Sequence, residues 1–217
     1  IVIIDHHRRS ADYIEDATLT FQEVYASSAA ELVTELLQYT DTKVVLKTIE
    51  AESLYAGIMM DTKNFTFKTG VRTFEAAAYL RKCGVDIIRV KKWFQSDLMS
   101  FNKIAAIVKS AEIVNGSVAI AINPKKEKDT SIVCAKAADE LLNIKNVEAS
   151  FILGHKNDTV FISARSLGQI NVHVLMEKLG GGGHIDIAGA QLKNVTLNQA
   201  YKQVHQIIEE YLEEENQ

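Results

Sequence analysis

The sequence predicts an α/β protein in two parts, and three observations carry that prediction. In the first half, short β-rich segments alternate with helical ones, the pattern of an α/β sheet. Near residue 105 the order changes to hairpin, helix, hairpin, helix, which suggests a smaller, compact α+β domain. The length of 217 residues suits one to two domains, and 47% hydrophobic with 24% charged residues is ordinary globular material.

The elements follow in order. Ile1-Val2-Ile3-Ile4 reads as a buried strand, and Thr18–Tyr25 as a second. Ser28-Ala29-Ala30-Glu31 is a capping box, in which each terminal side chain satisfies the other residue's free backbone N–H. It opens a helix with Leu32, Val33, Leu36 and Leu37 on one face. A second helix runs through Leu54, Tyr55, Ile58 and Met59 to end near Asp61; a third spans Thr73–Lys82 and stops at Gly84. Asp86 can cap a fourth, with Ile87, Ile88 and Trp93. Leu98–Lys109 is a helical connector.

In the second half, Ala111–Val114 and Ser117–Ile122 flank Asn115-Gly116, a strong hairpin signal because both positions tolerate positive φ. A helix at Ser131–Leu142 follows, then a hairpin of Ala149–Leu153 with Thr159–Ser163 around Lys156-Asn157-Asp158. A helix from Val172 to Leu179 runs into four glycines, and Thr196-Leu197-Asn198-Gln199 is a capping box for the last helix. That helix's acidic end, Glu213-Glu214-Glu215, reads as a solvated face.

Charge and cysteine usage narrow the function. A net charge of -4 and a pI near 5.9 argue against a binder of long nucleic acid, which is normally basic, and no basic groove with interleaved aromatics is visible. Cys83 and Cys134 match no metal spacing and read as reduced, buried thiols of a cytosolic protein. Ile1–Ile4 is far too short for a membrane span, so the segment is expected to be soluble. Because Ile1 is not an initiator and opens directly on a strand, the chain is expected to be a piece of something longer.

Four clusters carry chemistry. Asp5-His6-His7 closes the first strand, and ligands of open α/β sheets gather at strand C-termini. Imidazole nitrogen and carboxylate oxygen suit divalent transition metals. Neighbours in an extended segment point oppositely, so one histidine could take a metal while the other faces substrate, with Asp5 orienting an imidazole from behind. A surface turn with two ordinary histidines is the competing reading. Asp61 abuts an apolar helix end, as a ligand or as a plain terminal Asp. Gly180–Gly183 before His184 could let backbone N–H groups converge on an anion, where a helix cap needs one glycine alone. Ser163-Ala164-Arg165-Ser166 brings a guanidinium and two hydroxyls to a strand end, and Arg can grip phosphate with two parallel hydrogen bonds.

Together these segments resemble the DHH/DHHA1 phosphoesterase superfamily. Asp5-His6-His7 looks like the motif that names it, Asp61 like the next carboxylate ligand, and Gly181-Gly182-Gly183-His184 with Ala188-Gly189 like the DHHA1 signature. The wording around Asp5–Ser10 and Gly57–Asn64 is most similar to the GdpP/YybT group, membrane-anchored bacterial enzymes that cleave cyclic di-AMP to pApA. The resemblance implies the C-terminal part of a DHH parallel-sheet domain at 1–97, a connector at 98–109 and a DHHA1 substrate-binding domain at 110–217. It implies His6 and Asp61 as ligands of one manganese ion in a two-metal site, Asp5 supporting His6, and His7 on the scissile phosphate. Arg165, Gly181, Gly182, Gly183 and His184 would hold the distal part of the dinucleotide, with Ser166 and Asn171 beside them. A homodimer, cytoplasmic but anchored to the membrane through other segments, is also implied.

The family's earlier motif, His-x-x-x-Asp-x-Asp, and a further Asp before the DHH tripeptide are absent from these residues. His6 and Asp61 are too few for two metals, so the chain alone is expected to be inactive or nearly so. A nanoRNase or RecJ-like enzyme acting on oligonucleotides, and a nucleotide-binding or dimerisation module without catalysis, are the other readings.

Overall fold

The computed structural model describes residues 1–9, 13–40, 44–125 and 129–215. The chain divides into two compact units, Ile1–Gln95 and Ser96–Gln217, each with its own core.

In the first unit, β1 (Val2–Asp5) and β2 (Leu19–Gln22) pair in parallel, with Asp5 opposite Gln22. The strand forms where the apolar run predicts it, but the burial does not: Ile1 and Val2 are 70% and 60% exposed. Among the described residues β1 has a ladder partner on one side only, which leaves those side chains little to pack against. Helix α1 (Ala29–Tyr39) begins at Ser28, whose hydroxyl accepts from the Glu31 N–H at 3.0 Å. The return half of the expected box is redirected, because the buried Glu31 carboxylate accepts from the Ser27 hydroxyl at 2.5 Å. Of the predicted apolar face, Leu32 is buried and Leu36 is exposed.

Three further helices make the core: α2 (Thr48–Asp61), α3 (Val71–Lys82) and α4 (Ile87–Trp93). Ala51, Tyr55 and Ile58 recur at helical spacing along one side of α2 and pack with Ala76 and Leu80 of α3 and Val90 of α4. Burying side chains the size of Ile58 or Leu80 contributes roughly 1.5–3 kcal/mol each. Asp86 caps α4 as predicted, accepting from the N–H groups of Ile88 and Arg89. Only Val90 of that helix is fully buried, whereas Ile87, Ile88 and Trp93 stay exposed.

The second unit is a mixed six-stranded sheet in the order β3-β4-β5-β6-β8-β7, between two pairs of helices. Its elements are α5 (Leu98–Lys109), β3 (Glu112–Val114), β4 (Val118–Asn123), α6 (Thr130–Leu141), β5 (Ala149–Lys156) and β6 (Thr159–Ser166). Then come α7 (Val172–Glu177), β7 (Gly182–Gly183), β8 (Ile187–Lys193) and α8 (Leu197–Glu215). Alternation along the strands sorts the two faces. Ala119, Ala121 and Ile152 pack with α5 and α6, whereas Val118, Ile120, Phe151, Leu153 and Ala164 pack with α7 and α8.

Both predicted hairpins form, with Asn115 and Gly116 at φ 47° and 76° in the first and Asn157 at φ 55° in the second. Both capping residues of α8 act as expected: Thr196 N–H donates to the Gln199 side chain and Gln199 N–H to the Thr196 hydroxyl. Three features depart from the sequence reading. Strands β5 and β6 are longer than predicted, and Arg165 and Ser166 are the last two residues of β6, at a strand end as expected. Helix α7 stops at Glu177. The glycine run enters the sheet, paired with β8, which carries no strand signal of its own because Ala and Gly are poor strand formers.

Candidate active site

The first cluster sits at the C-terminal end of β1. Asp5 ends the strand, and the chain turns at once, bringing the His6 and His7 rings to 4.3 Å between centroids. The two histidines are therefore neighbours, not on opposite sides, because the alternation of a strand no longer applies beyond Asp5. One Asp5 oxygen, Oδ1, accepts from the His7 backbone N–H at 3.1 Å and pairs with His7 Nδ1 at 2.8 Å. These bonds to His7 hold the Asp5 carboxyl below its ordinary pKa, so it is an anion at neutral pH. Asp5 was expected behind His6; it stands behind His7. With Nδ1 occupied, His7 is left with Nε2 for an outside partner, and its side chain is 70% exposed.

His6 is the more enclosed of the two at 13% exposure, and its Nε2 lies 3.6 Å from Asp61 Oδ2. Asp61 is the last residue of α2, and an unusual turn fixes it there. Lys63, Asn64 and Phe65 all take left-handed φ values, 45°, 58° and 62°. Three consecutive non-glycine residues in that region cost free energy, and such strain concentrates where a geometry must be held. Buried Thr62 braces the turn: its hydroxyl donates to Ile58 O at 2.7 Å and accepts from Phe65 N–H at 2.9 Å. His6 and Asp61 thus present one nitrogen and one oxygen donor of suitable chemistry to a single point. Among the described residues, no group of three or more His, Cys, Asp or Glu side chains could hold a metal.

The second cluster lies on the α6 face of the second unit's sheet. A cleft of about 380 Å³ there is lined by Ser131, Phe161, Ser163, Gly180, Gly181, Gly182, Gly189 and Gln191. Gly180, at φ 71°, closes α7, while Gly181 and Gly183 press against β8. A β-carbon on Gly181 would lie 2.7 Å from Ala190 Cα, and one on Gly183 would lie 2.5 Å from Ala188 Cα. At Gly182 a β-carbon would meet nothing within 4 Å. Gly182–Gly183 is therefore an edge strand, and of its two positions only Gly182 has open space for a side chain.

Arg165 lies on the same face of β6 as Phe161 and Ser163, with two of its donors engaged: Nε with Asp139 Oδ1 at 3.0 Å and Nη1 with Ala164 O at 2.9 Å. His184 is exposed, and its N–H donates to Ile187 O at 2.6 Å. Ser166 is buried and accepts from Gly168 N–H at 2.9 Å; Asn171 caps α7 through the His173 and Val174 N–H groups. Those two side chains shape the loop after β6.

This order of motifs matches known families. Residues 1–58 match the model of the DHH family, N-terminal domain, and residues 104–214 match that of the DHHA1 domain. The chain belongs to the DHH/DHHA1 family.

Among curated DHH/DHHA1 relatives, it is 46% identical over 212 residues to the cyclic-di-AMP phosphodiesterase PdeA of Listeria monocytogenes. It is 47% identical over 214 residues to the cyclic-di-AMP phosphodiesterase GdpP of Geobacillus thermodenitrificans. These alignments cover 97% and 98% of this chain but 32% of each relative, so the chain spans about a third of their length. Among solved structures, an exopolyphosphatase-related protein from Bacteroides fragilis shares the fold, with a TM-score of 0.83 at 24% identity over 97% of this chain and 63% of that one.

Sequence reasoning missed Gln22, Ser131, Phe161 and Gln191. Gln22 reaches the DHH motif only through the register of β1 on β2, Phe161 and Gln191 reach the glycine cleft through the pairing of β6 with β8, and Ser131 through the packing of α6 on the sheet. No local motif encodes any of these.

Proposed function

We propose that this chain carries part of the catalytic site, and the substrate-binding domain, of a phosphodiesterase that hydrolyses cyclic di-AMP to pApA. The observation behind the proposal is the 46–47% identity, over nearly the whole chain, to two enzymes named for cyclic di-AMP. In this reading residues 1–97 are the C-terminal part of the DHH catalytic domain, 98–109 the connector and 110–217 the DHHA1 domain.

His6 and Asp61 would hold one divalent ion, manganese in this proposal. Their donor types fit it, though two donors fall short of a two-ion centre. When bound, such ions would supply Lewis-acid activation of a water and charge stabilisation at the phosphate. The chain's own residues do the rest. Asp5 fixes the His7 ring, so that Nε2 can contact the scissile phosphate. The Ser163–Gly182 cleft, with Arg165 and His184 near it, takes the far nucleotide. Ser166 and Asn171 keep the neighbouring loop in shape. For the intact protein the reading adds a homodimer held at a membrane by other segments; among the described residues, no helix is long and apolar enough to cross one.

The test is chromatography of products after incubating the intact protein with manganese and cyclic di-AMP, pApA or short oligonucleotides. Ring opening to pApA, in preference to oligonucleotide cleavage, supports the proposal. Preference for oligonucleotides would transfer it to the nanoRNase or RecJ-like class, and binding without turnover to a non-catalytic module.

A further inference from the structure

The Asp5–His7 pair is held by more than its own loop. Gln22 lies opposite Asp5 in the parallel ladder, so both side chains leave the same face of the two-stranded sheet. The Gln22 amide nitrogen donates to the His7 carbonyl oxygen at 2.8 Å and lies 3.5 Å from Asp5 Oδ2. Asp5 therefore has one oxygen on His7 and the other facing Gln22, and a single amide group reaches both members of the pair. Asp5, His7 and Gln22 line one cleft of about 310 Å³ with Arg8 and Arg9.

We propose that Gln22 is a positioning residue: its side-chain amide fixes the orientation of the Asp5–His7 pair relative to the phosphate. This rests on the phosphodiesterase reading above. The chemistry requires an amide and not its acid isostere. Glutamate at this position would have no donor for the His7 carbonyl and would set a negative charge beside the Asp5 carboxylate. Asparagine, one methylene shorter, falls short of the carbonyl. Alanine leaves the carbonyl and Asp5 Oδ2 to water, so the His6–Arg9 turn gains freedom.

The experiment has two arms, both on the intact protein containing this chain. The first is turnover of cyclic di-AMP by Gln22→Ala, Gln22→Glu, His7→Ala and the Gln22→Ala/His7→Ala double variant. Gln22→Ala is expected to lower kcat about 10–100-fold with KM within about twofold, a range suited to a misplaced catalytic group. Gln22→Glu is expected to fall at least as far, and Gln22→Ala to have no further effect once His7 is gone, since a residue acting through His7 loses its target. Additive losses, or wild-type kcat in Gln22→Glu, overturn the proposal. The second arm needs no activity: hydrogen exchange at the His7 amide, which Asp5 accepts, should quicken in Gln22→Ala while exchange in α2 and α3 stays unchanged. Unchanged exchange at His7 overturns it as well. A wild-type protein without turnover would sink the phosphodiesterase reading, and the exchange arm would then decide Gln22 separately.

Discussion

His6 Nε2 and Asp61 Oδ2 stand 3.6 Å apart, one just past the end of β1 and the other at the last residue of α2. An imidazole nitrogen and a carboxylate oxygen at that separation can share a cation, and removing either leaves a single donor. We expect Asp61→Asn and His6→Ala each to weaken manganese binding by at least about 10–100-fold, the range for losing even an indirect metal contact. Isothermal calorimetry with manganese on the intact protein measures it. The 217-residue chain alone should bind manganese weakly and turn over cyclic di-AMP little or not at all, because its described residues offer no third donor beside the pair. Measurable manganese-dependent turnover by that chain would contradict this.

Tyr201 gives a stability signature at alkaline pH. Burial, reinforced by the bond its hydroxyl donates to the Glu112 carboxylate, pushes the phenol up to about 12. A group whose folded pKa is raised stabilises the fold fully below its unfolded value, near 10 for tyrosine, and loses that contribution as pH rises through the folded value. The wild-type denaturant midpoint should therefore fall between pH 10 and 12 more steeply than that of Tyr201→Phe. Burial also raises Tyr55 and Tyr79, so absorbance titration should show a late-ionising tyrosine component that shrinks by one residue in the variant.

The two thiols should separate under a thiol reagent. Cys134 is fully buried in α6, and burial pushes its pKa to about 12, so it holds almost no thiolate at pH 8. Cys83 is only half-buried, against the expectation that both are enclosed. Reaction with Ellman's reagent at pH 8 should modify Cys83 first and leave Cys134 silent until denaturant is added. Cys83→Ser should remove the early phase and keep the late one.

What the sequence made legible was what is encoded locally. The caps at Ser28, Asp86 and Thr196 and the Asn115-Gly116 hairpin depend on residues within a few positions of each other, and each appears where its signal lies. The DHH tripeptide at a strand end and Asp61 at a helix end were legible for the same reason. The misses are non-local. Strand β8 exists because β6 and β7 pair with it, and Gln22 matters because of the register of β2 on β1. The face taken by His7 could not be read from strand alternation, because the strand ends at Asp5, two residues before it.

The glycine run permits the sharpest separation of folding from binding. Gly181 and Gly183 lie hard against the backbone of β8, where an added methyl would overlap the carbonyl oxygens of Gly189 and Ile187, and Gly183 also takes a positive φ. Neither can move away without breaking the β7–β8 ladder. Gly181→Ala and Gly183→Ala should each destabilise by about 1–3 kcal/mol or more, the cost of overpacking. Gly182 has open space where its β-carbon would go, and it lines the cleft with Ser163 and Gln191. Gly182→Ala should therefore change stability by no more than about 0.5 kcal/mol, as for an unconstrained surface site. The same methyl would occupy space that the proposed dinucleotide needs. Thermal melts read the first effect and calorimetry with pApA the second. The expected pattern is two variants with lowered melting temperature and one with native melting temperature but weakened binding. Native affinity in Gly182→Ala would remove the cleft from the substrate site and leave the run a purely structural edge.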